Sequence, residues 1–178
     1  MSRLPSMPDA QIGESAQTLF EQIRKSLGKV PNAYALIGGH SPAALGLLLN
    51  GDRVLSQGQL SPRDIEAIRL TVSELNGCDY CVAAHATVGK LVGLKPEEIR
   101  QLRAGEATGQ AQRDALVGFA RQVSGSRGPV QESVVQGVMA AGYTPGQIIE
   151  ALLAIALIGF TNLVNRVNDT PIDFPKPE

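Results

Sequence analysis

The sequence has no tryptophan, only two cysteines and two histidines among 178 residues, and a formal net charge of −1. Two cysteines are too few for the disulfide framework of a small secreted domain. A charge near zero with no basic cluster gives no electrostatic reason to expect a nucleic acid or an anionic membrane as a partner. These absences favour an ordinary globular protein, and its length fits one domain.

The sequence also has no uninterrupted apolar stretch long enough to span a membrane and no recognisable export signal. The most apolar segment, residues 148–164, contains Glu150, Thr161 and Asn162 and falls short of the roughly 20 apolar residues that a bilayer span needs. We interpret it as a buried core helix. Residues 1–13 lack the apolar segment of a signal peptide, so we expect a cytoplasmic protein with no membrane partner.

Hardly any segment alternates apolar and polar residues with the period of a β-strand, which predicts an all-α protein. Three predicted helices begin with an N-cap hydroxyl residue followed by proline: Ser41-Pro42, Ser61-Pro62 and Thr144-Pro145. We expect about seven helices in a single domain, residues 1–178. Residues 1–13 would form an irregular arm, and residues 168–178 an extended tail.

Both cysteines and one histidine occur together near a predicted helix start. Cys78, Cys81 and His85 are three and four residues apart, so they share one stripe of the fourth predicted helix, with the cysteines in its first turn. Gly77 is placed to end the preceding helix, and so short a connection makes the two helices neighbours. Glu66 of that preceding helix could then reach His85.

This pattern of residues favours thiol chemistry. The reactive form of cysteine is the thiolate, and the pKa of a thiol falls at a helix N-terminus or beside an imidazolium. Residues three apart on a helix have α-carbons about 5 Å apart, a distance that a disulfide accepts. A carboxylate that holds the imidazole would fix its tautomer and let it pass a proton to the leaving oxygen of a peroxide.

The spacing of Glu66, Cys78, Cys81 and His85 resembles the motif of the AhpD-like alkylhydroperoxidases in the carboxymuconolactone decarboxylase superfamily. Other parts of the chain are similar to its peroxidase-related branch: residues 27–45, the last helix with Asn162, Asn165 and Arg166, and Asp173-Phe174-Pro175. The resemblance implies an AhpD-like helical bundle that forms a trimer or hexamer. It also implies thiol-dependent reduction of organic hydroperoxides or hydrogen peroxide, with no cofactor and no metal.

The resemblance further implies a role for each site residue. Cys81 attacks the peroxide and becomes a sulfenic acid, Cys78 resolves it as a disulfide, and Glu66 and His85 relay protons. The i, i+4 relation to His85 also favours Cys81 as the cysteine that attacks the peroxide. By analogy with thioredoxin, the first and more exposed cysteine of such a pair would be the more reactive one. The expected reductant is a thiol or a lipoyl group on a protein. Tyr80, a possible pocket residue, stands where the best-known members have a histidine.

The same residues are also compatible with three other functions. A lactone decarboxylase has no need for two thiols, and a non-enzymatic redox sensor would be oxidised without turnover. A closed zinc site needs four ligands; Cys78, Cys81 and His85 supply three, and His40 would have to complete the set. We expect His40 to lie in a loop through residues 38–40 without a catalytic role.

Single residues also have purely structural interpretations. Glu66 could pair with Arg69 at i, i+3 on a solvated face, and His85 could be a core histidine. Asn162 and Asn165 need hydrogen-bond partners if they are buried. They would either line the pocket or form hydrogen bonds across a subunit interface.

Overall fold

The computed structural model describes residues 2–5 and 7–177, and this part of the chain is helical with no strand. After a 3₁₀ turn at Asp9–Gln11, the helices in order are α1 (Glu14–Leu27), α2 (Asn32–His40), α3 (Pro42–Ser56), α4 (Pro62–Leu75), α5 (Asp79–Leu91), α6 (Pro96–Ala104), α7 (Ala111–Gly125), α8 (Glu132–Ala140) and α9 (Pro145–Asn168). The all-α prediction is confirmed for the described residues.

The prediction of about seven helices was wrong, because the described residues form nine. Asn32–His40 is helix α2, where Gly38 and Gly39 predict a loop. Glycine weakens an isolated helix, but here it makes room for packing: a Cβ on Gly38 would lie 2.6 Å from side-chain atoms of Phe20 and Leu45. The cysteine pair therefore stands at the start of the fifth helix rather than the fourth.

Helix α4 lies at the centre of the bundle. It packs against α5, α6, α7 and α9, and eight of its 14 residues are buried. Its start is fixed by Ser61, whose hydroxyl accepts a hydrogen bond from the backbone N–H of Asp64 at 3.1 Å. Because neighbours surround α4, even polar residues such as Glu66 are buried on it.

A tight turn connects α4 to α5 and determines where the cysteines lie. Gly77 adopts φ +62°, in the left-handed region that glycine tolerates. The backbone N–H of Cys78 then donates to the Ser73 carbonyl at 3.0 Å, which closes the end of α4. Cys78 is the N-cap of α5, and its Sγ accepts from the backbone N–H of Cys81 at 3.3 Å. Both sulfurs thus lie at the positive end of the α5 dipole.

Helix α9 closes the bundle on the other side of the cysteines. It packs against α2, α3, α4, α5 and α7, and it buries Asn162, Asn165 and Asn168. Among the described residues, it is the one helix whose length and composition would allow it to cross a membrane, a test that core helices also pass. Its buried asparagines favour the predicted core helix, although its outer face is exposed. The cytoplasmic location stays a prediction.

Candidate active site

Glu66 and His85 are in direct contact, as their positions on consecutive helices predict. His85 Nδ1 lies 2.7 Å from Glu66 Oε2, and Glu66 is 3% exposed. Burial alone would raise the pKa of Glu66, but the charges and hydrogen bonds of His85 and Arg69 outweigh it and lower that pKa. The ionised carboxylate accepts a hydrogen bond from Nδ1–H, which leaves Nε2 of the imidazole for chemistry.

Arg69 connects Glu66 to a second carboxylate, Asp52, that sequence analysis missed. Arg69 Nη1 donates to Glu66 Oε1 at 2.9 Å, and Nη2 donates to Asp52 Oδ1 at 2.5 Å. The alternative of a Glu66–Arg69 pair on a solvated face was wrong, since the Glu66 side chain is buried and contacts both partners. Asp52 lies on α3 at no motif spacing, so only the tertiary structure places it here.

The two thiols differ in their surroundings, although both are buried and no disulfide joins them. The hydrogen bond from the Cys78 thiol lowers the pKa of Cys81 to about 6; burial opposes this, while Asn165 and the charge of His85 support it. Asn165 Nδ2 donates to Cys81 Sγ at 3.3 Å. The same contact with Cys81, together with burial, raises the pKa of Cys78. Of the two sulfurs, these contacts favour the thiolate form at Cys81 and the protonated thiol at Cys78.

Cys78 and Cys81 line two different cavities. The first, here called the Cys81 cavity, has a volume of about 370 Å³ and contains Cys81 and His85 in a mainly apolar lining. The second, the Cys78 cavity, has a volume of about 490 Å³ and a more polar lining. Tyr80 and Asn165 line both cavities, so the two cavities are adjacent.

Tyr80 is held in place by the segment that follows α9. Its hydroxyl donates to Asp173 Oδ1 at 2.7 Å and accepts from the backbone N–H of Ala33 at 3.1 Å. The ring of Phe174 packs edge-on against Tyr80, with centroids 5.7 Å apart. Lys29 Nζ lies 2.9 Å from Asp173 Oδ2 and 4.7 Å from the centroid of the Phe174 ring. The C-terminal segment therefore forms a wall of the Cys81 cavity.

The two predicted pocket asparagines have different positions. Asn165 lines both cavities, and its Oδ1 is buried with no hydrogen-bond partner in the described part of the chain. Asn162 lines neither: its Oδ1 accepts from Asn76 Nδ2 at 2.8 Å, and its Nδ2 donates to Ser73 Oγ at 3.2 Å. Asn162 thus connects α9 to the end of α4 through two side-chain hydrogen bonds.

The second histidine is not part of the cysteine site. His40 is the last residue of α2 rather than a loop residue, and its Nε2 lies 2.8 Å from the carbonyl oxygen of Pro5. Within residues 2–5 and 7–177, no group of three or more histidine, cysteine, aspartate or glutamate side chains is arranged to hold a metal ion. The contact with Pro5 gives His40 a structural role at the N-terminal segment.

Comparison with known proteins supports the resemblance. Residues 42–122 match the family model of the carboxymuconolactone decarboxylase family, and this range includes Glu66 and both cysteines. An AhpD-core, uncharacterized peroxidase-related protein from Ralstonia eutropha JMP134 has a TM-score of 0.87 and 22% identity, covering 97% of this chain and 92% of that one. The chain therefore has the fold of this AhpD-core structure, and residues 42–122 are similar to the carboxymuconolactone decarboxylase family.

Two further solved structures share the fold. A peroxidase-related protein from Silicibacter sp. TM1040 has a TM-score of 0.81 and 21% identity, covering 96% of this chain and 91% of that one. The debrominase Bmp8 has a TM-score of 0.72 and 18% identity, covering 90% of this chain and 87% of that one. A search of the curated proteins found no match. At these identities the likeness extends to the fold, and the chemistry has to be argued from the site.

Proposed function

We propose that this protein is a thiol-dependent peroxidase that reduces organic hydroperoxides or hydrogen peroxide through a Cys78–Cys81 dithiol cycle. The observation that carries the proposal is that Cys81 lines the same cavity as His85, whose Nδ1 lies 2.7 Å from the buried carboxylate of Glu66. Such a site supplies both a nucleophile and a proton donor.

The oxidative half of the cycle follows from this arrangement. The Cys81 thiolate attacks the terminal oxygen of the peroxide, which breaks the O–O bond and leaves a sulfenic acid on Cys81. His85 gives a proton to the departing oxygen, so an alcohol or water leaves, and Glu66 stabilises the imidazolium before the transfer. Asn165 Oδ1, a buried acceptor without a partner among the described residues, can accept the O–H hydrogen of the bound hydroperoxide.

Cys78 completes the oxidation. Its thiol attacks the Cys81 sulfenic acid, water leaves, and the two sulfurs form a disulfide. The contact between the Cys78 thiol and Cys81, together with their N-cap and N3 positions on α5, supports this resolving role. Reduction by two thiol equivalents returns the dithiol. No cofactor or metal takes part in this scheme.

The lining of the Cys81 cavity favours organic hydroperoxides over hydrogen peroxide. Tyr34, Val88, Leu91 and Phe174 present carbon atoms to a space of about 370 Å³. Removing apolar surface of a bound ligand from water contributes roughly 25 cal/mol per Å². Hydrogen peroxide has no such surface. We therefore expect the catalytic efficiency with cumene hydroperoxide to exceed that with hydrogen peroxide.

Thiol titration after peroxide treatment tests the function. Reduced wild-type protein should lose two thiols per chain, and Cys81→Ser should lose none. Cys78→Ser should stop at a sulfenic acid, which dimedone would trap, and should not turn over. If Cys81→Ser consumed peroxide at the wild-type rate, the proposed function would be wrong.

Two rival functions predict other results. A decarboxylase would keep its activity after both thiols are alkylated, whereas peroxide reduction would be lost. A redox-sensing module would be oxidised once and would not turn over when dithiothreitol is supplied. The site argues against the decarboxylase, because decarboxylation does not require the paired thiols.

A further inference from the structure

We propose that Asp52 is a positioning residue that keeps the Glu66 carboxylate directed at His85. It does so by binding one end of the Arg69 guanidinium, which would otherwise compete for the Glu66 oxygen that His85 uses. This inference rests on the proposed peroxidase, in which His85 gives a proton to the departing oxygen. It adds to that site a residue from another helix, α3.

The guanidinium of Arg69 is divided between two carboxylates. Its Nη1 donates to Glu66 Oε1 at 2.9 Å, and its Nη2 donates to Asp52 Oδ1 at 2.5 Å. Glu66 Oε2 is thereby left to His85, whose Nδ1 lies 2.7 Å away. Each oxygen of Glu66 thus has a different partner, and the four side chains form one continuous chain of contacts from α3 to α5.

Without Asp52, the Arg69 guanidinium would favour a different arrangement. A guanidinium and a carboxylate prefer a bidentate pairing, in which two parallel N–H groups meet the two oxygens. Arg69 and Glu66 are three residues apart on one face of α4, so rotation of the side chains is enough to form this pairing. The Arg69 side chain is only 15% exposed, so water offers its Nη2 little compensation. We therefore expect Nη2 to turn to Glu66 Oε2 and to weaken the contact with His85.

Asp52 acts on the site through Arg69 and does not touch the substrate. Among the described residues that line the Cys81 cavity are Cys81 and His85, but neither Asp52 nor Arg69. Those two line a separate cavity of about 40 Å³, which His85 also borders. This volume is far below the roughly 300 Å³ at which ligand pockets begin. Asp52 can therefore influence peroxide reduction only through the side chains that it holds.

The surroundings of Asp52 give it a part that no neighbour can take over. Burial raises the pKa of Asp52, and the positive charges of Arg69 and His85 oppose that rise. Tyr34 on α2 borders the same small cavity, and burial followed by the charge of Asp52 raises the pKa of its hydroxyl, which stays neutral. Among the described residues that line the small cavity, Asp52 has the one carboxylate.

Nitrogen NMR of the histidines measures the position of Glu66 directly. A neutral imidazole that donates from Nδ1 to a carboxylate carries its proton on that nitrogen, whereas free histidine prefers the proton on Nε2. The chain has only two histidines, and His40 contacts Pro5 instead. His40→Gln assigns the two signals. At a pH well above the ordinary histidine pKa of about 6.5, wild-type His85 should be in the Nδ1–H form.

Asp52→Ala should convert this signal of His85 to a mixture of both tautomers, because Arg69 then competes for Glu66. It should also slow single-turnover oxidation by cumene hydroperoxide about tenfold, a part of the roughly 10²–10⁴-fold that general acid catalysis contributes. Asp52→Asn retains the shape and a weaker acceptor, so it should fall between the two and serves as the test if Asp52→Ala does not fold. A wild-type tautomer in the folded variant would overturn the proposal.

A double variant separates positioning from a purely structural role. When Asp52→Ala is combined with Arg69→Met, no guanidinium competes for Glu66. His85 should then return to the Nδ1–H form, and oxidation by cumene hydroperoxide should recover. A structural role of Asp52 predicts a further loss instead, since two contacts have been removed. Coupled residues give such non-additive effects in a double-mutant cycle.

The chain contains a matched control for the loss of the ion pair. Arg113 on α7 also joins two carboxylates: its Nε donates to Asp64 Oδ1 at 3.1 Å, and its Nη1 donates to Glu98 Oε1 at 2.9 Å. The Asp64 side chain is 15% exposed. Asp64→Ala should therefore destabilise the protein without changing the His85 tautomer or the oxidation rate. Equal changes in Asp64→Ala and Asp52→Ala would count against the proposal.

The NMR measurement needs no peroxide, so it tests the position of Glu66 independently of the reaction. If no peroxide oxidised the wild-type protein, only the proposed peroxidase would be overturned. If peroxide were reduced but the tautomer of His85 did not depend on Asp52, only the role of Asp52 would be overturned.

Discussion

Neutralising the buried carboxylate of Glu66 should strongly destabilise the protein. Its carboxylate binds both His85 and Arg69 while it is 3% exposed. Taking one partner out of a buried ion pair destabilises a protein by about 3–5 kcal/mol. We expect Glu66→Gln to lower the free energy of unfolding by that amount, measured by urea denaturation, and to reduce peroxide turnover.

The chain contains a matched control for this change. Glu97 pairs with Arg100 at the same i, i+3 spacing, but both side chains are 58% exposed. Exposed pairs contribute about 0–1 kcal/mol, so Glu97→Gln should change stability little. Equal losses for the two variants would contradict the importance that we give to burial.

The Cys81 thiolate makes a prediction about pH. Because the pKa of Cys81 is lowered to about 6, the rate of its oxidation should rise with pH through about 6 and level off near neutrality. A hydrogen bond to a charged group contributes about 1.5–3 kcal/mol. Asn165→Ala removes one from the sulfur and should raise the midpoint by about one to two pH units.

Ultraviolet absorbance of the thiolate, recorded against pH, measures this midpoint directly. Thr161→Val is the control, since Thr161 lines the same cavity but donates only to the carbonyl of Ile158. An unchanged midpoint in Asn165→Ala would show that the amide does not stabilise the thiolate.

The site residues that follow from local helical periodicity could be predicted from the sequence, and the one that depends on a tertiary contact could not. Cys78, Cys81 and His85 share one face because a helix repeats every 3.6 residues, and Glu66 meets His85 because a short turn joins their helices. Asp52 comes to the site from α3, at a distance along the chain that no helical period determines.

Among the helices, α2 makes the clearest prediction. A Cβ on Gly38 would lie 2.6 Å from Phe20 and Leu45 side-chain atoms, and overpacking a core costs about 1–3 kcal/mol. Gly38→Ala should therefore lower the melting temperature, measured by circular dichroism. Gly46→Ala, inside α3 with nothing within 4 Å of the added Cβ, should instead stabilise the protein by about 0.4–1 kcal/mol.

The same comparison explains why sequence analysis missed α2. Two adjacent glycines favour a loop when only propensity is considered. Packing against α1 and α3 reverses that preference, because the approach of the helices needs a residue without a side chain. If Gly38→Ala matched Gly46→Ala in stability, this explanation would fail.

For the whole molecule, the outer face of α9 makes self-association the central prediction. Five large apolar residues on this helix are exposed: Ile149, Leu152, Phe160, Leu163 and Val167. Leu47 is 71% exposed on α3, which packs against α9. Contiguous exposed apolar patches mark interaction sites. The family resemblance implies trimers or hexamers.

We expect light scattering to give three or six times the chain mass of 18.8 kDa. Leu163→Glu should shift the protein towards monomers, because it places a charge on the α9 face. Met139→Glu, at an exposed apolar residue of α8, should leave the assembly intact. A monomeric wild-type protein would contradict the prediction.

The N-cap of α5 links the stability of the fold to the chemistry of the cysteine pair. Cys78 occupies an N-cap, a position where serine, threonine, aspartate or asparagine normally gives the firmest helix start. Cys78→Ser should therefore raise the free energy of unfolding and abolish the proposed dithiol cycle. If the proposed dithiol cycle operates, Cys78 exchanges some helix stability for redox activity, a compromise common at functional residues.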